Sequence, residues 1–132
     1  MPSDKLTAEV VCLVDDDPGV LKSIGRLLVA DGFLVRAFSK PKSFLDHVQT
    51  NRVSLVVLDI WMEEMNGLEV QEQVAALSPT TRVIIITGRD DPAAKLTALD
   101  RGVFAFLTKP FDADEFLAVV HDALDQASGS PA

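Results

Sequence analysis

Four short apolar runs in this chain lead into side chains that can do chemistry. Leu55-Val56-Val57-Leu58 ends in the carboxylate of Asp59, and Val83-Ile84-Ile85-Ile86 in the hydroxyl of Thr87. The run from Val103 to Leu107 is followed, after Thr108, by the ammonium of Lys109. Val10 to Val14 leads into Asp15-Asp16-Asp17. Crowded carboxylates repel and raise one another's pKa values unless a cation joins them. Mg2+ (or Mn2+) suits such a place, because Mg2+ takes one or two carboxylates, several waters and phosphate oxygens. Thr87 beside Gly88 offers a hydroxyl with room for a phosphoryl oxygen. Lys109, with the metal, can offset charge on a phosphoryl group in transfer.

Groups so far apart in sequence need a scaffold that gathers strand ends. Apolar runs alternate here with segments of helical period, the βα pattern of an α/β fold with a parallel sheet covered by helices. The carboxyl ends of such strands line one crevice. Strands are expected near 10–15, 33–38, 53–59, 82–87 and 103–107, with the second, which contains Arg36, at the edge. Asp17-Pro18 and Asp91-Pro92 place a capping carboxylate before a proline suited to a first helical turn. Asp112 with Glu115 predicts a capping box. Val20, Ile24, Leu27 and Leu28 form one apolar stripe, and Phe116, Val120, Ala123, Leu124 and Ala127 another. Gly32 and Gly102 stand where helices should end. The helix near 92–101 has mostly small apolar residues, which predicts light anchoring.

With 132 residues, 48% hydrophobic and 24% charged, the chain suits one folded domain. The expected organisation is an N-terminal extension over 1–9, the domain over 10–127 and a flexible tail over 128–132. A net charge of −8 argues against direct nucleic-acid binding. The single cysteine, Cys12, excludes an internal disulfide and reads as a small buried hydrophobe. No apolar stretch has membrane-spanning length and no signal-peptide pattern opens the chain, so a cytoplasmic protein with no membrane partner is expected.

Each residue also has a plainer reading. Asp17 is first a helix cap; Thr87 alone would be an ordinary β-branched strand residue and Lys109 a solvated charge. His47 and His121 read as surface residues, and Met62 and Met65 as fillers of irregular gaps. Lys109-Pro110 is a candidate cis peptide. Asp16, Asp59, Thr87 and Lys109 recurring together at strand ends favours function over coincidence.

Val14-Asp15-Asp16, Leu58-Asp59, Ile86-Thr87-Gly88 and Lys109-Pro110-Phe111 resemble, in order and spacing, the receiver domain of two-component response regulators, over about residues 10–126. The resemblance implies a five-stranded parallel sheet of flavodoxin-like order 2-1-3-4-5, as in chemotaxis regulators, flanked by five helices. It implies that Asp59 accepts a phosphoryl group from the phosphohistidine of a histidine kinase or phosphotransfer protein. Asp15, Asp16, Asp59 and the backbone carbonyl of Trp61 would hold Mg2+. Thr87 and Phe106 would be the switch pair, Lys109 would grip phosphoryl oxygens, and Gly88 and Pro110 would border the site. The product would be a phosphoacceptor switch rather than an enzyme acting on an external substrate. Residues about 92–127 would form the face for an effector or a homodimer.

Two departures stand out. Receivers often carry a proline four residues after the acceptor aspartate; here Glu63 stands there, followed by Glu64. Trp61 is bulky for its place, and with Arg89 it is expected to hinder attacking water. Two competing functions remain at this point. Asp15-x-Asp17 with Thr87 and Lys109 also resembles haloacid-dehalogenase-type phosphatases, though Asp59 would then lack a role. A receiver-like binding module that is never phosphorylated is the other.

Overall fold

The computed structural model describes residues 9–128. The extension and tail expected at the two ends lie almost wholly outside them. Five strands and five helices alternate: β1 (Val10–Val14), α1 (Pro18–Ala30), β2 (Leu34–Phe38), α2 (Pro41–Thr50), β3 (Leu55–Asp59), α3 (Gly67–Leu77), β4 (Arg82–Thr87), α4 (Pro92–Asp100), β5 (Ala105–Thr108) and α5 (Ala113–Ser128). All pairings are parallel, in the order β2-β1-β3-β4-β5. This is the expected flavodoxin-like α/β fold, with Arg36 on the edge strand β2.

Strand alternation divides the core into two layers. Cys12, Val14, Val56, Leu58, Val83 and Ile85 face the layer closed by Phe44 and Val48 of α2, Val70 and Val74 of α3, and Ala94 and Ala98 of α4. Val11, Leu13, Leu55, Val57, Ile84 and Ile86 face the other, closed by Ile24 and Leu28 of α1 and Phe116, Val120 and Ala123 of α5. The β3 residues are buried throughout, as a central parallel strand requires.

The helix ends follow side-chain chemistry. Gly19 N–H donates to Asp17 Oδ1 at 2.9 Å, and Ala94 N–H to Asp91 Oδ1 at 3.1 Å, each ahead of a first-turn proline. Gly32 and Gly102 follow α1 and α4 at φ of 96° and 88°, where a side chain would be strained. The reciprocal capping box lies at α3, between Asn66 and Glu69, rather than at Asp112 and Glu115. Asp112 Oδ1 instead accepts from Asp114 N–H, two residues on, at 3.4 Å.

Strands β3 and β5 begin about two residues later than the apolar runs. Val53 is buried, but its carbonyl accepts from the Thr81 hydroxyl at 2.7 Å rather than from a neighbouring strand. Helix α4 is lightly anchored, as its composition predicts: it buries Ala94 and Ala98 and leaves Leu96 68% and Leu99 49% exposed. Polar contacts help hold it to α3. Buried Gln71 donates through Nε2 to the Ala98 carbonyl at 3.1 Å, and Arg101 Nη1 to the Leu68 carbonyl at 3.1 Å.

Candidate functional site

The sheet order reverses between β1 and β3, and the strand ends there leave a crevice. The register sets Val14 beside Leu58, Asp59 beside Ile86 and Thr87 beside Thr108, so the chemistry-bearing ends share one rim. A cleft of about 290 Å³ opens there, lined by Asp15, Asp16, Asp17, Asp59, Lys109 and the mouth residues Trp61, Gly88 and Arg89, with Val20 from α1.

The acidic residues are not equivalent. Asp15 is 1% exposed; its Oδ1 accepts from Asp17 N–H at 2.9 Å, while its buried Oδ2 has no partner among the described residues. Burial is the largest influence pushing its pKa up, against the Asp17 N–H and Lys109. Asp59 is 8% exposed, and its pKa is pushed from 3.8 to about 6, first by burial and then by the Asp15 charge, with Lys109 opposing. Asp16 is exposed, and its Oδ2 accepts from Glu63 N–H at 3.0 Å. Asp17 caps α1 while also lining the cleft, so its plainer reading holds alongside its place in the site.

One carboxylate oxygen from each of Asp15, Asp16 and Asp59 can lie within 4.8 Å of the others. A buried carboxylate oxygen without a donor, in a hard-oxygen set, fits a divalent cation. Lys109 is half-buried at the opposite wall, its backbone N–H donating to the Thr87 carbonyl at 2.7 Å. The Lys109-Pro110 bond is cis.

Other expected residues sit outside the cleft lining. Thr87 is fully buried beneath it, its Oγ1 accepting from Arg89 N–H at 3.1 Å. Phe106 is half-buried against the core layer of α2, α3 and α4, and Pro110 is exposed beyond the rim. A Cβ on Gly88 would meet nothing within 4 Å, which agrees with open space there. At the mouth the Arg89 guanidinium lies 4.6 Å from the Trp61 ring centroid, a cation–π contact joining the β3–α3 and β4–α4 loops. Gly67 is required behind the site: a Cβ there would fall 2.4 Å from the Asp59 carbonyl oxygen.

Among the contacts that sequence reasoning missed, two join distant parts of the chain. The Glu63 backbone N–H is invisible to a search by side-chain type. His121 Nε2 lies 2.6 Å from Asp31 Oδ2 and its ring 5.1 Å from Phe33, tying α5 to the α1–β2 turn; 90 residues of separation gave no local signal.

Comparison with known proteins agrees with this geometry. Residues 11–121 match the family model described as response regulator receiver domain. The chain is 36% identical over 116 residues to the transcriptional regulatory protein GlrR of Escherichia coli K12, covering 88% of this chain and 26% of that protein. It is 35% identical over 120 residues to the response regulator protein TodT of Pseudomonas putida F1, covering 91% of this chain and 53% of that one. The chain thus spans between a quarter and about half the length of these curated relatives. Among solved structures, a CheY-like receiver domain protein from Methanospirillum hungatei JF-1 superposes with a TM-score of 0.86 at 25% identity, covering 92% of this chain and 97% of that one. The beryllofluoride-activated NtrC4 receiver domain dimer gives 0.85 at 26% identity, covering 90% and 98%.

Proposed function

This chain belongs to the response regulator receiver domain family, and from that premise we propose that it is a Mg2+-dependent phosphoacceptor switch with Asp59 as acceptor. The observation that carries the assignment is the place of Asp59: at the end of β3, in the cleft, among Asp15, Asp16 and Lys109. A carboxylate oxygen of Asp59 attacks phosphorus of a phosphohistidine on a histidine kinase or phosphotransfer protein. The P–O bond forms as the P–N bond breaks, and the imidazole, already protonated on its other ring nitrogen, leaves as the neutral base with the bond's electron pair.

Asp15, Asp16, Asp59 and the Trp61 carbonyl would hold the cation, which supplies charge neutralisation to the phosphoryl oxygens. Lys109 pairs with a phosphoryl oxygen from the opposite wall. Thr87, released from Arg89 N–H, turns its hydroxyl to the new anion, and Phe106 fills the space left behind. The exposed face of α4 with β5 and α5, about residues 92–127, then signals to an effector or a second copy of the chain. The Trp61–Arg89 stack shields the acyl phosphate from water. The protein assists its own phosphorylation and dephosphorylation and is no conventional enzyme; it makes no direct nucleic-acid contact through this domain. Among the described residues no helix is long and apolar enough to cross a membrane, and a cytoplasmic setting is part of this proposal. So is the division into extension 1–9, receiver 10–127 and tail 128–132.

Intact mass after incubation with Mg2+ and acetyl phosphate tests the site. A single phosphoryl adduct is expected, absent from Asp59→Asn and from metal-free protein. An adduct on Asp15 would instead favour phosphatase chemistry. No adduct, either from acetyl phosphate or from a phosphorylated kinase, would leave a binding module.

A further inference from the structure

The β3–α3 loop carries consecutive exposed glutamates, Glu63 and Glu64, and each is tied to a different element. Glu63 donates its backbone N–H to Asp16 Oδ2 at 3.0 Å, across 47 residues of sequence. Glu64 Oε1 accepts from the backbone N–H of Lys42, in the first turn of α2, at 3.3 Å. That turn needs an outside acceptor, because Lys40 occupies the N-cap position and makes no side-chain cap bond. Glu64 is a cap lent to α2 by the loop, and a carboxylate also suits the positive end of the helix. The loop is therefore a strut from α2 to the acidic cluster.

Asp16 is the exposed member of that cluster, and its Oδ1 has no hydrogen-bond partner among the described residues. An exposed carboxylate samples several rotamers, and ordering it costs entropy on binding. One oxygen fixed by a backbone donor orients the other. Proline at position 63 would have no N–H to give. The Glu63 side chain makes no hydrogen bond or ion pair among the described residues, so its backbone is what acts here.

We infer that the Glu63 backbone N–H is a positioning group for Asp16 in the cation site, held in place by the Glu64 cap on α2. This rests on the reading above that Asp15, Asp16 and Asp59 bind the cation. Outer contacts of this kind are worth about 10–100-fold in metal affinity when removed.

The test is Mg2+ and Mn2+ titration of metal-free wild type, Glu63→Pro, Glu63→Ala and Glu64→Ala, by calorimetry and by emission of Trp61, the sole tryptophan. Glu63→Pro should bind about tenfold more weakly. Glu63→Ala keeps the N–H and loses only a screened charge, so it should stay within about twofold of wild type. Thermal melts of the metal-free proteins report whether each variant folds. Should Glu63→Pro fail to fold, Glu64→Ala decides: release of the strut should weaken binding about threefold. Equal affinities for the proline and alanine variants would overturn the inference, as would full wild-type affinity in Glu64→Ala. Saturable binding by wild type with those equalities would sink the positioning role alone. No saturable binding by wild type would sink the cation site with it.

Discussion

Burial and the Asp15 carboxylate both oppose ionisation of Asp59. Its proton is therefore held more tightly in the folded chain than in the unfolded one, so stability is favoured below the unfolded pKa and declines as pH rises from about 4 through about 6. Metal-free wild type should show that decline in urea denaturation, and Asp59→Asn should flatten it. At pH 7 the asparagine variant should be more stable by roughly 1–3 kcal/mol without metal. At the mouth, the Trp61–Arg89 stack is a predicted barrier to water. Trp61→Ala and Arg89→Ala should each lose the phosphoryl adduct several-fold faster than wild type, followed by intact mass over time; slower loss would remove that role. The gathering of Asp15, Asp16, Asp59 and Lys109 in one cleft was legible because their side chains name their chemistry, whereas the place of Trp61 at its mouth followed from the family resemblance. The Glu63 donor was not legible, because every residue except proline has an N–H.

The elements explain why those groups meet. Gly67 begins α3 directly behind the acceptor, with its N–H donating to the Ile60 carbonyl at 2.8 Å. Gly67→Ala must push against the Asp59 backbone, at a predicted cost of about 1–3 kcal/mol in urea unfolding. It should also slow phosphorylation from acetyl phosphate, whereas the exposed substitution Leu96→Ser should change stability by less than about 0.5 kcal/mol. Strand existence and order of occurrence were readable from apolar runs, because β3 and β4 are buried on both faces. The first residue of β3 was not, since a Thr81 hydroxyl takes the Val53 carbonyl that a strand would use. The α3 capping box was missed for a similar reason: Asn66 and Glu69 have the needed spacing, but no apolar run sharpens the start of that helix.

For the molecule as a whole, a cation bound to the folded state alone adds stability by mass action, about 2.7 kcal/mol at a hundred times the dissociation constant. Mg2+ should raise the melting temperature of wild type and leave Asp59→Asn and Asp16→Asn nearly unmoved; an equal rise in all three would point to binding elsewhere. The layer arrangement has a separate consequence for changes of chain length. Alternate residues of each buried strand serve opposite layers, so one inserted residue within a strand would exchange the two linings. The loops at the carboxyl ends carry the cleft and cannot lengthen without moving it. Insertions and deletions are thereby favoured at the opposite ends of the strands, in the exposed turn residues Asn51, Arg52, Pro79 and Thr80 rather than at the bonded pair Val53 and Thr81. A foreign loop grafted there is the alteration this architecture accommodates best.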